Sequence, residues 1–167
     1  TTHPRVVLLD LSDAILKTDL DPNRLTRAKF KLHDLFLHAK HDQFGLIVYT
    51  SEPFVVSPLT DDAQTIDALI HPIDPSIMPV GGMNLKAALL EGARLIHQTH
   101  APYGDLLILT GTPPNHAAIE TAQKLQSQNI KTSVIPLMQQ QTKTQAFDKL
   151  TQAGGGQTIP LSNTNAD

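Results

Sequence analysis

Asp10 and Ser12 are the residues whose types and spacing could do chemistry in this sequence. They follow Val6-Val7-Leu8-Leu9, an apolar run of the kind that forms a strand buried on both faces. A carboxylate and a hydroxyl at the end of such a strand would stand at the carboxyl edge of a sheet, where open α/β folds place their ligand crevice. Two chemistries are open to the pair: Asp10 as a nucleophile for phosphoryl transfer, or Asp10 and Ser12 as oxygen ligands of a hard divalent cation. Nucleophilic catalysis by Ser12 itself is not expected, because no motif supplies it with a His–Asp pair.

Other chemistry-bearing residues are weaker candidates. His38 and His41, and His97 and His100, have a spacing that can set two imidazoles on one helical face. Each pair lies near a helix end, where cationic residues are electrostatically favoured, so surface histidines are expected and not a zinc site. Gly154-Gly155-Gly156 follows a helix instead of joining a strand to one, so it reads as helix termination and not as a phosphate-cradling loop.

The totals describe an ordinary globular chain. Its 167 residues are 40% hydrophobic and 17% charged, with a net charge of −3. That charge gives no drive toward nucleic acid or anionic lipid. There is no cysteine, which removes disulfides and thiolate chemistry. No apolar run approaches the ~18 residues that a bilayer span requires, and no signal-peptide pattern is present. The first residue is Thr and not Met, as expected of a stretch whose anchoring segments lie outside it.

The elements that must position Asp10 and Ser12 can be taken in order. After the first strand and an acidic connection, Asp21-Pro22 predicts a helix start. Leu25, Ala28, Leu32, Leu35, Phe36 and Ala39 then mark one apolar face as far as Lys40. Arg24, Arg27, Lys29 and Lys31 fall mostly off that face and are expected in solvent. Gly45-Leu46-Ile47-Val48-Tyr49 and Phe54-Val55-Val56 are strands separated by too few residues for a parallel crossover, so they should pair antiparallel. Thr60-Asp61-Asp62 caps a short helix, and Asn84 or its neighbour opens the next. Strands over 105–109 and 131–136, helices ending near Asn129 and Ala153, and a strand near Thr158 to Pro160 complete the alternation. Strand alternating with helix implies a mainly parallel sheet. One domain over residues 1–162 with a polar tail at 163–167 is the expected organisation.

Two family resemblances bear on the two chemistries. Leu8-Leu9-Asp10-Leu11-Ser12-Asp13 and Ile108-Leu109-Thr110-Gly111 resemble the haloacid-dehalogenase motifs, but that chemistry needs a second aspartate where Ser12 stands, and acidic residues that do not follow Ile135. The wider resemblance is to the von Willebrand factor A domains of bacterial Bat-type proteins, the aerotolerance-associated group that includes forms with tetratricopeptide repeats. It is carried by Asp10-Leu11-Ser12, by the runs 21–29, 45–49, 56–62 and 77–80, and by Ala153-Gly154-Gly155-Gly156. It implies a doubly wound, Rossmann-like α/β fold with a mainly parallel six-stranded sheet, one antiparallel edge strand and helices on both faces. It also implies a non-enzymatic protein–protein interaction module of a bacterial inner-membrane protein, on its periplasmic or cytoplasmic side, anchored by segments outside this chain. Other Bat-type proteins or a MoxR-type ATPase are the implied partners.

The family's metal-ion-dependent adhesion site takes Asp-x-Ser-x-Ser on a first loop, a hydroxyl on a second and an aspartate on a third. Here Ala14, Met83 and Gly111 stand at three of those five positions. A methyl, a thioether and a hydrogen replace three oxygen donors, so no metal is expected beyond weak Mg²⁺ or Mn²⁺ binding, with Asp10 and Ser12 as remnant ligands. Asp13 is the one candidate compensator. The expected contact surface is the crevice rim formed by Asp10, Ser12, Asp13, Ala14, Gly82, Met83, Asn84, Thr110, Gly111 and Thr112, made more apolar by Met83 and Pro113-Pro114. A purely structural scaffold is the alternative within the same fold.

Overall fold

In the computed structural model, which describes residues 3–39, 42–139 and 141–161, the centre of the molecule is the strand β1 (Pro4–Asp10). Val6, Val7, Leu8 and Leu9 are fully buried because both faces of this strand are covered. The other strands are β2 (Gln43–Tyr49), β3 (Pro53–Thr60), β4 (Gly104–Thr110), β5 (Ile130–Pro136) and β6 (Gly155–Thr158), in the sheet order β3-β2-β1-β4-β5-β6. All pairings are parallel except β2 with β3, as the short connection between them requires. The β2–β3 register shifts twice, between Phe44 and Leu46 and between Leu46 and Ile47, and Phe54 and Val55 of β3 are exposed.

Helices α1 (Arg24–Leu37) and α2 (Ala63–Ile70) cover one face, burying Leu25, Ala28, Leu32, Phe36, Ala63, Ile66 and Ile70 against Val7, Leu9, Leu46 and Val48. Helices α3 (Leu85–Gln98), α4 (His116–Gln126) and α5 (Asp148–Gly154) cover the other, against Val6, Leu8, Ile47 and Ile108. Chain direction reverses in strand order at β1, with β2 on one side and β4 on the other. The ends of these strands therefore flank the crevice position of a doubly wound fold.

Three helices start where an amide side chain can accept from the first turn: Asn23 from Thr26 N, Asn84 from Ala87 N and Asn115 from Ala118 N. The cap of α1 is thus Asn23 and not Asp21. β3 runs to Thr60, well beyond the expected Val56, and α1 ends at Leu37. The final strand lies about the glycines, three residues earlier than the expected start at Thr158. The expected polar tail lies outside the described residues, as does His41.

The glycine run does more than end a helix. Gly155, at φ +73, is the left-handed cap of α5. A Cβ on Gly154 would come within 2.8 Å of Thr132 Cβ, and one on Gly156 would collide with the Thr132 carbonyl oxygen. The outer two glycines let α5 and β6 approach β5 closely, which helix termination alone does not explain.

The expectation that Arg24 is solvated is overturned. Its side chain is 9% exposed, and its guanidinium donates from Nε to Asp19 Oδ1 (2.7 Å) and from Nη2 to Asp19 Oδ2 (3.0 Å). Asp19 also accepts from Gln139 N at 3.4 Å, and Arg24 N donates to Lys17 O. The guanidinium packs against Gly111, so one ion pair joins the loops that follow β1, β4 and β5. First-turn side chains lean back over the segment that precedes the helix, which carries Arg24 off the solvent face.

Gly156→Ala is expected to lower the unfolding free energy by about 1–3 kcal/mol, because a backbone oxygen cannot rotate away, whereas Gly155→Asn should cost under about 1 kcal/mol. Urea midpoints at unchanged slope check this. Arg24→Met should cost about 1–3 kcal/mol at neutral pH through lost charge-assisted bonds. The hydrogen bonds from Arg24 hold the Asp19 carboxyl below its ordinary range, so the stability they supply is present above the unfolded value of about 3.9 and is lost as pH falls through the depressed folded value. The gap between wild type and Arg24→Met should therefore be widest near neutrality and narrow below about pH 4.

Candidate functional site

Asp10 ends β1 with a side chain that is 1% exposed. A buried carboxylate needs donors, and it has one for each oxygen. Ser12 N donates to Oδ1 at 2.8 Å, and Thr110 Oγ1 donates to Oδ2 at 2.7 Å. Thr110, fully buried at the end of β4, accepts in turn from Thr112 N at 3.0 Å, while its carbonyl accepts from Leu137 N at 2.8 Å. Asp10, Ser12, Thr110 and Thr112 are thus brought into one network, as the strand-end positions require.

Two hydroxyls beside this network are buried without a hydrogen-bond partner among the described residues: Ser12 Oγ and Tyr49 OH. Tyr49 pairs with Asp10 in the β1–β2 register. Burial, and after it the charge of Asp10, pushes the Tyr49 phenol well above its ordinary range against the smaller opposing effect of the neighbouring Thr110 hydroxyl, so it stays protonated. Tyr49 reads in the sequence as the last apolar residue of a strand, and nothing there marks its hydroxyl as part of the site.

The loop before α3 is tied to the end of β2. Thr50 Oγ1 donates to Val80 O at 2.7 Å, and Asn84 N donates to Thr50 O at 2.7 Å. Gly82 adopts φ +111, and a Cβ there would crowd Ser51 at 3.1 Å. This geometry turns Met83 partly inward, where it packs on the core cluster that contains Tyr49 and Leu85. Asn84 is exposed but committed to capping α3.

The remaining expected positions do not join the carboxylate. Asp13 begins a short 3-10 turn (Asp13–Leu16), is exposed, and makes no ion pair among the described residues; Ala14 is half-buried in the same turn. Gly111 has no room for a side chain, because a Cβ would strike the Arg24 guanidinium and lie 2.7 Å from Leu137 O. Among the described residues no group of three His, Cys, Asp or Glu side chains could hold a metal ion. His38, His97 and His100 are exposed on the helices or just past their ends.

The connections at this end of the sheet expose apolar side chains that periodicity could not flag, since they lie in loops and turns. Leu16 is 45% exposed, Ile77 54% and Val80 57%. Pro72, Pro75 and Pro79 mark the stretch 72–79 in the sequence as a loop.

The family description "von Willebrand factor type A domain" matches residues 5–153. A comparison with curated proteins found no match. Among solved structures, an aerotolerance-related membrane protein from Bacteroides fragilis carrying multiple mutations to serine is similar at TM-score 0.87 and 21% identity, over 98% of this chain and 94% of that one. BatB from Bacteroides thetaiotaomicron is similar at TM-score 0.85 and 20% identity, over 98% and 92%. The SpRpn10 VWA domain follows at TM-score 0.72 and 15% identity, over 100% and 93%. At these identities the structural likeness shows the fold, and the match over residues 5–153 shows the family: the chain belongs to the von Willebrand factor type A domain family.

Proposed function

We propose that this domain is a protein-docking module that engages its partner through the crevice rim by shape and apolar contact, without a bridging divalent cation. The observation that carries this reading is that both oxygens of Asp10 are already engaged inside the protein, by Ser12 N and Thr110 Oγ1. Ser12 Oγ, buried and unpartnered, is the one donor that fits the family's cation. The other positions supply no oxygen: Ala14 ends in a methyl, Met83 in a thioether packed on the core, and Gly111 lies against a guanidinium. A positive charge beside the place where a carboxylate would complete the shell opposes a second cation. Asp13 faces solvent, so the compensation weighed for it has no support in its position.

What remains at the rim suits a different mode of recognition. Leu16, Ile77 and Val80 present apolar surface from loops held in place by Thr50 and the Arg24–Asp19 pair. Exposed apolar groups on an ordered scaffold favour docking by packing. The absence of enzymatic activity is part of the proposal: both oxygens of Asp10 accept hydrogen bonds, and Ser12 Oγ is hydrogen-bonded to no base among the described residues. By analogy with the similar Bat-type structures, one of them from an aerotolerance-related membrane protein, we place the domain on a membrane-anchored bacterial protein, with Bat-type proteins or a MoxR-type ATPase as partners.

Calorimetric titration with Mg²⁺ and Mn²⁺ is expected to show no binding tighter than about 1 mM. Micromolar binding abolished by Asp10→Ala would overturn the cation-free reading. Partner binding, measured with purified Bat-type proteins and a MoxR-type ATPase, should survive EDTA and weaken by about tenfold or more in Ile77→Asp or Val80→Asp. Loss of binding on chelation would count against it, and binding by the intact protein but not by this domain would favour the scaffold alternative.

A further inference from the structure

The α3–α4 pair holds a second surface, independent of the crevice. The two helices leave a groove of about 930 Å³ between them. Its floor is apolar, with Ala93 and Leu125 buried and Leu90 on the wall 47% exposed. Lys86, Arg94 and Lys124 line it against a single carboxylate, Glu120, which pairs with His116 at 2.9 Å. His97 and His100 close its far end. This concentration of positive charge occurs on a chain whose net charge is −3.

Two of the basic residues here, Lys86 and Lys124, are not consumed by the fold. On α1, Arg24 is bound to Asp19 and Lys29 donates to His71 O at 2.8 Å. In the groove, Arg94 is held by Glu91, but Lys86 and Lys124 make no ion pair among the described residues. One stands on each helix, so the groove is flanked by available cations on both sides. α3 has 14 residues, which gives the groove a potential length of about 21 Å.

We propose that the α3–α4 groove is a docking site for an acidic amphipathic segment of a partner protein. Its apolar side chains would lie on Leu90 and Leu125 and its carboxylates against Lys86 and Lys124. A concave floor between two helices admits the side-chain row of a peptide, as helix-in-groove recognition requires, whereas a flat bilayer surface reaches only the rims. Opposite charges on the two flanks add register and association rate to the apolar contact.

The probe is a fluorescein-labelled synthetic peptide with Leu at helical spacing and Glu elsewhere, followed by anisotropy on the intact domain. Saturable binding in the range of about 10–100 µM is expected, weakening by about tenfold or more in Lys86→Glu/Lys124→Glu and as salt rises from about 50 to 300 mM. Lys31→Glu, a single charge reversal on the opposite face, should leave binding unchanged, and urea midpoints confirm that each variant is folded. A Lys-for-Glu version of the peptide should not bind. Absence of saturable binding, or binding indifferent to Lys86→Glu/Lys124→Glu, overturns the proposal. So does failure of the peptide alongside groove-dependent binding to phosphatidylglycerol vesicles, which would assign the charge to an anionic membrane surface. Neither readout involves Asp10 or the crevice rim, so the two proposed sites succeed or fail separately.

Discussion

A buried carboxylate at the end of the central strand is the constraint around which this domain is built. β1 is covered on both faces, so the chain carries Asp10 into a place where ionic charge is costly unless it is fully hydrogen-bonded. The two donors that satisfy it come from different elements, the backbone just past β1 and the side chain that ends β4. Thr110 meets Asp10 only if β1 and β4 keep their register, because a slip of one residue would send its hydroxyl to the other face. Correct pairing of the two strands at the switch point and satisfaction of the charge are thus one physical event. Leu137 N, bonded to the Thr110 carbonyl, extends the same coupling to the end of β5.

A second charge acts on the loops above that network. Arg24 sits nearly buried with Asp19 as its counter-ion, and the pair touches the three connections that follow β1, β4 and β5. A metal ion could gather such loops, but it can leave; a guanidinium on the first turn of a helix cannot. The loops are thereby joined by a group that is part of the chain. The rim they form can present Leu16 as an ordered surface, although it lies in no regular element other than a short turn.

Much of the architecture was legible because its causes are local. Four consecutive apolar residues ending in Asp10 marked the central strand, and the four residues between Tyr49 and Phe54 dictated an antiparallel pair. Asp62 and Asn84 announced helices by a side-chain chemistry that acts within one turn. What stayed hidden depends on neighbours far along the chain. Helical periodicity places Arg24 in solvent because it cannot register Gly111 and Asp19, which enclose the side chain. Gly154-Gly155-Gly156 reads along the chain as helix termination, since only the position of Thr132 on β5 shows why the outer two lack side chains. The departures of Ala14, Met83 and Gly111 from the family pattern were visible; the guanidinium beside Gly111 was not.

The edge strand β3 carries a consequence for recognition. Its pairing with β2 is broken by two register shifts, and Pro53 and Pro58 remove backbone donors from it. At the opposite border, β6 offers only four residues, two of them glycine. Neither border is a long, regular row of free amides and carbonyls onto which another chain could zip. Both borders therefore disfavour main-chain templating, along with the self-propagating aggregation it invites, and leave recognition to side chains.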